Sequence, residues 1–282
     1  METIEFSWRT SKNIPIYARA WGPDEPVKAV IVLVHGIGEH IGRYEHVAQM
    51  FTNNHYGFIG ADLVGNGKSG GQRGHADSFD DFLEIIDLLL TETDIRFPGV
   101  PKVLYGHSLG GNLILYHAMK RKPSISGLIV SSPGLEVVNV PPLKVAIGKL
   151  LYSIYPRFPM TNSLDVSGLS SDPSVVEAYV NDPLVHNMVS VRFGLDLLSV
   201  GKWQQENIVT LDVPMLIFHG ECDRLVNISG SRKFASQYQG DLTFVEIPGG
   251  YHELHNEPNK ADLFELTLTW LAEKVLQPAS YT

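Results

Sequence analysis

Two stretches of this 282-residue chain match G-x-S-x-G, the pattern in which a turn can present a reactive serine hydroxyl. One is Gly67 to Gly71, inside GNGKSGG; the other is Gly106 to Gly110, inside VLYGHSLGGNLIL. GNGKSGG, starting at Gly65, also satisfies G-x-G-x-x-G, a pattern of dinucleotide loops. Each chemistry demands its own surroundings. In a dinucleotide loop the third glycine opens a helix at once, because the pyrophosphate sits on the helix N-terminus. Here the chain runs on through QRGHAD, and the next helix is expected near Ser78, capped by Asp77 or Ser78. The stretch also follows the fourth expected strand rather than the first, so a cofactor loop is disfavoured and no cofactor is expected. A nucleophilic serine needs a strand leading directly in and a helix leading directly out. Ser69 has neither. Ser108 has both, a short strand over Lys102 to Tyr105 and a helix from Gly110 through GGNLILYHAMKR. Gly106 and Gly110 leave room for the sharp turn, and the positive end of the helix favours a developing anion.

A serine hydroxyl is a weak nucleophile at neutral pH, so it needs a base, and the base needs an acid to orient it. The histidines after Ser108 are His117, His186, His219, His252 and His255. His117 points along its helix away from the turn, His186 falls in an interval without strands, and His219 ends a strand and reads as structural. His252 follows a strand and the flexible loop Pro248-Gly249-Gly250, which suits a side chain that must reach over a sheet; His255 competes with it. For the acid, the strand MLIFHG runs into ECDRLV, offering Glu221 and Asp223 at the carboxyl edge of a sheet. Both choices stay open on this reasoning. The spacing in HELH is one residue short of the zincin H-E-x-x-H, so no metal site is expected.

These residues need a scaffold, and the apolar periodicity describes one. Strands are expected at Ile4 to Trp8, Ile14 to Trp21, Ala29 to Val34, Gly57 to Asp62, Val103 to Tyr105, Leu128 to Val130, Met215 to His219 and Leu242 to Ile247. Between them, Tyr44 to Thr52, Phe79 to Thr93, Asn112 to Met119, Ser231 to Tyr238 and Ala261 to Val275 read as helices. Uniformly apolar strands such as AVIVLV suit a parallel sheet covered on both faces. The alternation breaks over Pro141 to Asp212, where helical stretches occur with no convincing strand, as in an inserted cap. At 44% hydrophobic and 19% charged residues, the chain can build one large core plus such an insertion. A net charge of -9 would repel a polyanion, so no nucleic-acid partner is expected. The single cysteine, Cys222, excludes an internal disulfide and fits a reducing compartment. METIEFSWRTSKN lacks the basic end and apolar run of a signal peptide, and no stretch reads as a membrane span. A cytoplasmic protein is expected, with peripheral membrane association open to it.

The chain resembles the monoacylglycerol lipases of the α/β-hydrolase superfamily, in the group that also contains bacterial lysophospholipases. The resemblance spans nearly the whole chain and rests on HGIGEHIGRY from His35, ADLVGNGKSGG from Ala61, GHSLGG from Gly106, NDPLV from Asn181, GECDRLV from Gly220 and GGYHELH from Gly249. It implies a mostly parallel eight-stranded sheet with helices on both faces, a core of residues 1–140 and 213–282, and a helical cap over 141–212. By motif position it implies Ser108 as nucleophile, Asp223 as acid and His252 as base, with the backbone N–H groups of Ile37 and Leu109 as the oxyanion hole. Glu39, His40 and Arg43 would hold the loop beside Ile37 in shape. GNGKSGG becomes a structural turn in which Asp62 and Ser69 satisfy local backbone groups; Asn66 stands where animal relatives often carry histidine. In the cap, PPLKVAIGKLLYSIYPRF places Leu143, Ala146, Ile147, Leu150, Leu151 and Ile154 on one helical face. Resemblance makes this stripe an acyl entrance lined by Ile147, Leu150, Leu151 and Ile154, with contact to a lipid surface. The implied activity is cleavage of a monoacylglycerol to fatty acid and glycerol through an acyl-enzyme, without cofactor or obligate protein partner. The alternatives are a lysophospholipase or broad carboxylesterase and, in another class, a non-catalytic hydrolase-fold binding protein.

Overall fold

The computed structural model describes residues 2–23, 26–138 and 140–277. Its strands are β1 (Glu2–Arg9), β2 (Pro15–Gly22), β3 (Val30–Val34), β4 (Gly57–Ala61), β5 (Lys102–His107), β6 (Gly127–Ser131), β7 (Pro159–Thr161), β8 (Met188–Ser190), β9 (Met215–Gly220) and β10 (Leu242–Ile247). The helices are α1 (Glu45–Asn53), α2 (Phe79–Arg96), α3 (Leu109–Arg121), α4 (Pro142–Ile154), α5 (Pro173–Asn181), α6 (Val191–Glu206), α7 (Ile228–Gln237) and α8 (Lys260–Lys274). Eight strands form one sheet in the order β1-β2-β4-β3-β5-β6-β9-β10. β2 pairs antiparallel with both β1 and β4, and the remaining pairs are parallel.

Strand alternation divides the core into two layers. Val30, Val32 and Val34 of β3 join Phe82 and Ile86 of α2 and Leu113 of α3 on one face. Ile31 and Leu33 turn to the other, against Val47 and Phe51 of α1 and Trp270 and Leu271 of α8. A parallel sheet with both faces covered brings its carboxyl edge to one side of the molecule, where successive strand-to-helix loops meet. α2 starts as expected at Ser78, closed by a capping box with Asp81.

Between β6 and β9 lie α4, α5 and α6, together with two short strands that the sequence did not signal. β7 and β8 pair antiparallel, Pro159 with Ser190 through Thr161 with Met188. Three residues are too few to display an alternating pattern, and the pairing joins positions far apart in the chain.

Candidate active site

β5 delivers Ser108 to the carboxyl edge, and α3 begins at the next residue. Ser108 has φ 54 and ψ −114, a conformation that lifts the side chain out of the strand. The turn is held by Ser108 N–H donating to the Ser131 carbonyl (2.9 Å) and by the Asn112 and Gly134 N–H groups donating to the Ser108 carbonyl (both 3.0 Å). Two residues to each side of Ser108, only glycine fits. A Cβ at Gly106 would strike the Gly110 carbonyl, and one at Gly110 would strike the Val34 carbonyl. Leu109 N–H, at the start of α3, and Ile37 N–H, after β3, have no hydrogen-bond partner among the described residues. Ile37, Ser108, Leu109 and His252 all line one cavity.

His252 Nδ1 lies 2.7 Å from Asp223 Oδ2. Asp223 Oδ1 accepts from the N–H groups of Leu225 (2.8 Å) and Val226 (3.0 Å), so the carboxylate is fully occupied. Burial opposes the Asp223 charge, but His252 and the hydrogen bonds from His219 and His252 outweigh it and hold the carboxyl well below the usual range. For His252, burial likewise opposes the imidazolium, and the Asp223 charge and hydrogen bond reverse the balance, raising its pKa. The competing residues are placed differently. His255 is fully buried with its ring stacked on Tyr44 at 4.7 Å, neither ring nitrogen has a partner among the described residues, and burial keeps it neutral. Glu221 is exposed at the surface. His117 Nε2 lies 2.6 Å from Asp87 Oδ1, between α3 and α2.

The loop after β3 is braced from several sides. His35 Nε2 accepts from Leu63 N–H (2.9 Å), so its Nδ1 carries the proton and donates to the Gly36 carbonyl (2.7 Å). Gly36 N–H and the Tyr44 hydroxyl donate to Glu39 Oε1 (2.6 and 2.8 Å), and Arg43 donates to Glu39 Oε2 (2.5 Å). Arg43 also grips both oxygens of Glu253 at 2.7 Å and lies over the Tyr179 ring, 4.7 Å from its centroid. NDPLV reaches down from the end of α5 onto this loop. His40 Nε2 lies 2.8 Å from Asp182 Oδ2, and His186 N–H donates to the Gly38 carbonyl (2.9 Å). Tyr179 carries no sequence signal, and Asp182 and Glu253 lie within NDPLV and HELH, which assigned them no role. HELH did contain a signal, since the glutamate that is misplaced for a zinc site is the one that meets Arg43.

At GNGKSGG the side chains of Asp62 and Ser69 are committed to local backbone groups. Asp62 Oδ1 accepts from Ile41 N–H (2.8 Å) and Oδ2 from Lys68 N–H (2.7 Å). Ser69 Oγ donates to the Asp62 carbonyl (2.6 Å) and accepts from Tyr17 N–H (2.9 Å).

The apolar stripe of α4 requires a correction. Ile147, Leu150 and Ile154 are 48%, 68% and 72% exposed, and neither they nor the half-buried Leu151 line the cavity. α4 instead presents Lys144, Val145 and Gly148 to it. α4 packs on α6 with Gly148 as its buried position, where a Cβ would meet Leu195 at 3.5 Å, and the large apolar side chains turn outward. Among the described residues no helix is long and apolar enough to cross a membrane.

The sheet order and the strand-serine-helix turn at its carboxyl edge define an α/β-hydrolase. The chain belongs to the family described as Serine aminopeptidase, S33 (Hydrolase_4), whose profile matches residues 25–259. It is 32% identical over 270 residues to the monoacylglycerol lipase of Mycolicibacterium smegmatis, covering 95% of this chain and 96% of that one. With the monoglyceride lipase of Rattus norvegicus it shares 33% identity over 291 residues, covering 95% and 94% of the two chains. The crystal structure of Paleococcus ferrophilus monoacylglycerol lipase superposes with a TM-score of 0.84 at 32% identity, over 92% of this chain and 98% of that one. The chain is a serine ester hydrolase of this group.

Proposed function

We propose that the chain hydrolyses monoacylglycerols to fatty acid and glycerol, with Ser108, His252 and Asp223 as its triad. The observation that carries this reading is the 2.7 Å His252–Asp223 pair, with His252 lining the same cavity as Ser108, Ile37 and Leu109, the last two with N–H groups that have no partner among the described residues. Ser108 Oγ attacks the ester carbonyl while His252 Nε2 takes its proton, and Asp223 holds the resulting imidazolium through Nδ1. The carbonyl oxygen gains negative charge where the N–H groups of Ile37 and Leu109 meet it. Collapse of the tetrahedral species breaks the ester bond, and His252 returns the proton to the departing glycerol oxygen. Water, deprotonated by His252, then attacks the acyl-serine and releases the fatty acid. Val145, Met160, Leu195 and Leu198 give the cavity an apolar wall for the acyl chain, while Glu39 and Glu253 supply polar atoms near the turn. The names of the full-length relatives support the lipid substrate. A panel of monoacylglycerols, lysophospholipids, short p-nitrophenyl esters and aminoacyl amides tests it, with the highest kcat/KM expected for a monoacylglycerol. Covalent labelling by a fluorophosphonate separates this reading from a non-catalytic binding protein.

His252 must be neutral to accept the serine proton, and its pKa is raised above the ordinary value of 6.5. kcat/KM should therefore fall as pH drops through a value above 6.5, and Asp223→Asn should move that limb to lower pH. An acidic limb that Asp223→Asn leaves unmoved would contradict the assigned base.

Residues 141–212 act in this reading as a cap whose outer face meets the lipid surface. Leu143, Ile147, Leu150 and Ile154 on α4, with Tyr155 and Phe158 just beyond it, are exposed apolar side chains on one segment. A doubly substituted Ile147→Gln, Leu150→Gln protein should partition onto phospholipid vesicles about tenfold or more weakly, given the area each side chain would otherwise bury. Its hydrolysis of a water-soluble butyrate ester should stay unchanged. Equal partitioning of the two proteins would remove the lipid-facing role.

A further inference from the structure

Asp223 is held by more donors than the orientation of one imidazole requires. His219, near the end of β9 and fully buried, places Nε2 3.2 Å from Asp223 Oδ2, the same oxygen that faces His252. The neighbours of His219 fix its tautomer. Nε2 also lies 3.2 Å from the Val226 carbonyl oxygen, and neither that oxygen nor an ionised carboxylate can donate, so Nε2 carries hydrogen. Nδ1 lies 2.8 Å from Ser231 Oγ on α7 and, in the neutral ring, accepts the hydroxyl hydrogen. The result is a buried run from the Ser231 hydroxyl to His219, whose single Nε2–H is hydrogen-bonded to the Val226 carbonyl and also lies 3.2 Å from Asp223 Oδ2, the oxygen that His252 faces.

We propose that His219 is a positioning residue for hydrolysis, donating through Nε2 to Asp223 Oδ2, with Ser231 selecting the tautomer able to do so. The inference rests on Asp223 and His252 serving as acid and base for Ser108. Two consequences follow. Donors on both oxygens prevent the carboxylate from rotating, which keeps the His252 ring aimed at the turn. A second donor on Oδ2 also draws off part of the charge that would otherwise stabilise the His252 imidazolium, so His252 returns its proton more readily to the leaving group. The other charges about His252 are the Glu253 and Glu39 carboxylates, bridged by Arg43, with the neutral rings of His107 and His255 nearby. Facing His219 there is also Glu246 of β10. None of these is altered by the substitutions below.

The test compares His219→Leu, His219→Gln and Ser231→Ala on a soluble short ester, each followed by thermal melting and by kcat and KM across pH. His219→Leu should lower kcat on the order of tenfold to a hundredfold, the range for a lost hydrogen bond to a charged group, with KM within about twofold. Its acidic limb should move to higher pH, because Asp223 then acts on His252 alone. His219→Gln, whose amide N–H can reach the same oxygen, should restore most of kcat and return the limb. Ser231→Ala should cost about threefold to tenfold in kcat by releasing the tautomer. Wild-type kcat and an unmoved limb in His219→Leu would overturn the proposal, as would equal losses in the Leu and Gln proteins with no shift of the limb. If His219→Leu does not fold, Ser231→Ala decides: wild-type kcat and an unmoved limb overturn the proposal. Parallel measurements on Ser108→Ala and His252→Ala keep the two readings apart. Turnover retained there overturns the triad itself, whereas turnover lost there with a wild-type His219→Leu overturns only the role of His219.

Discussion

Ser108→Ala is expected to lower turnover of a monoacylglycerol by on the order of a millionfold and to abolish fluorophosphonate labelling, because no other group can form the acyl-enzyme. The contrast with Ser69→Ala makes the result specific. Both serines lie in G-x-S-x-G, but Ser69 Oγ is committed to the Asp62 carbonyl and Tyr17 N–H, whereas Ser108 lines the cavity. Ser69→Ala should keep labelling and turnover while losing about 1–3 kcal/mol of stability, the cost of leaving buried partners unpaired. Steady-state kinetics with a thermal melt of each protein checks both arms. Turnover retained in Ser108→Ala would displace the nucleophile.

The second large effect concerns the base and the acid. His252→Ala should remove on the order of 10⁵-fold in kcat, and Asp223→Asn about 10⁴-fold by failing to hold the imidazole in its working tautomer. The neighbouring alternatives should behave differently. Glu221→Gln alters an exposed carboxylate and should leave kcat within about twofold of wild type. His255→Ala empties a space beside Tyr44 and should cost about 2–4 kcal/mol of stability, with kcat of the folded protein within about tenfold. A larger kcat loss in His255→Ala than in His252→Ala would mean that the loop after β10 is out of register with its assigned role.

The parts of this molecule that rest on local pattern were readable in its sequence. Strands such as Val30–Val34 are apolar throughout because both faces of the sheet are covered, and the turn at Ser108 announces itself through a strand, two glycines and a helix. The choice between His252 and His255, and between Asp223 and Glu221, was not local. It depended on motif order, because the two members of each pair share the same stretch of chain. Long-range partners were illegible for a physical reason: Arg43 and Glu253 meet across 210 residues, and nothing in either segment names the other. Periodicity failed in another way at α4. It established that the helix has an apolar face but not which side turns inward, and Gly148, with no side chain to attract attention, is the buried position facing Leu195. His219 read as a structural strand residue because Ser231 lies on α7, and because Asp223, although only four residues on, meets His219 only through the way the loop after β9 folds back.

The central claim, an acyl-enzyme on Ser108 formed from a monoacylglycerol, can be observed directly. The protein is mixed with a long-chain monoacylglycerol, quenched in acid within milliseconds, digested with trypsin and examined by mass spectrometry. Ser69 and Ser108 fall in different tryptic peptides, residues 69–73 and 103–120. The account predicts a peptide 103–120 heavier by one acyl group, appearing no more slowly than glycerol is released and absent from Ser108→Ala. Acyl transfer to any other peptide, or glycerol release with no acylated peptide in a protein that turns over normally, would contradict it.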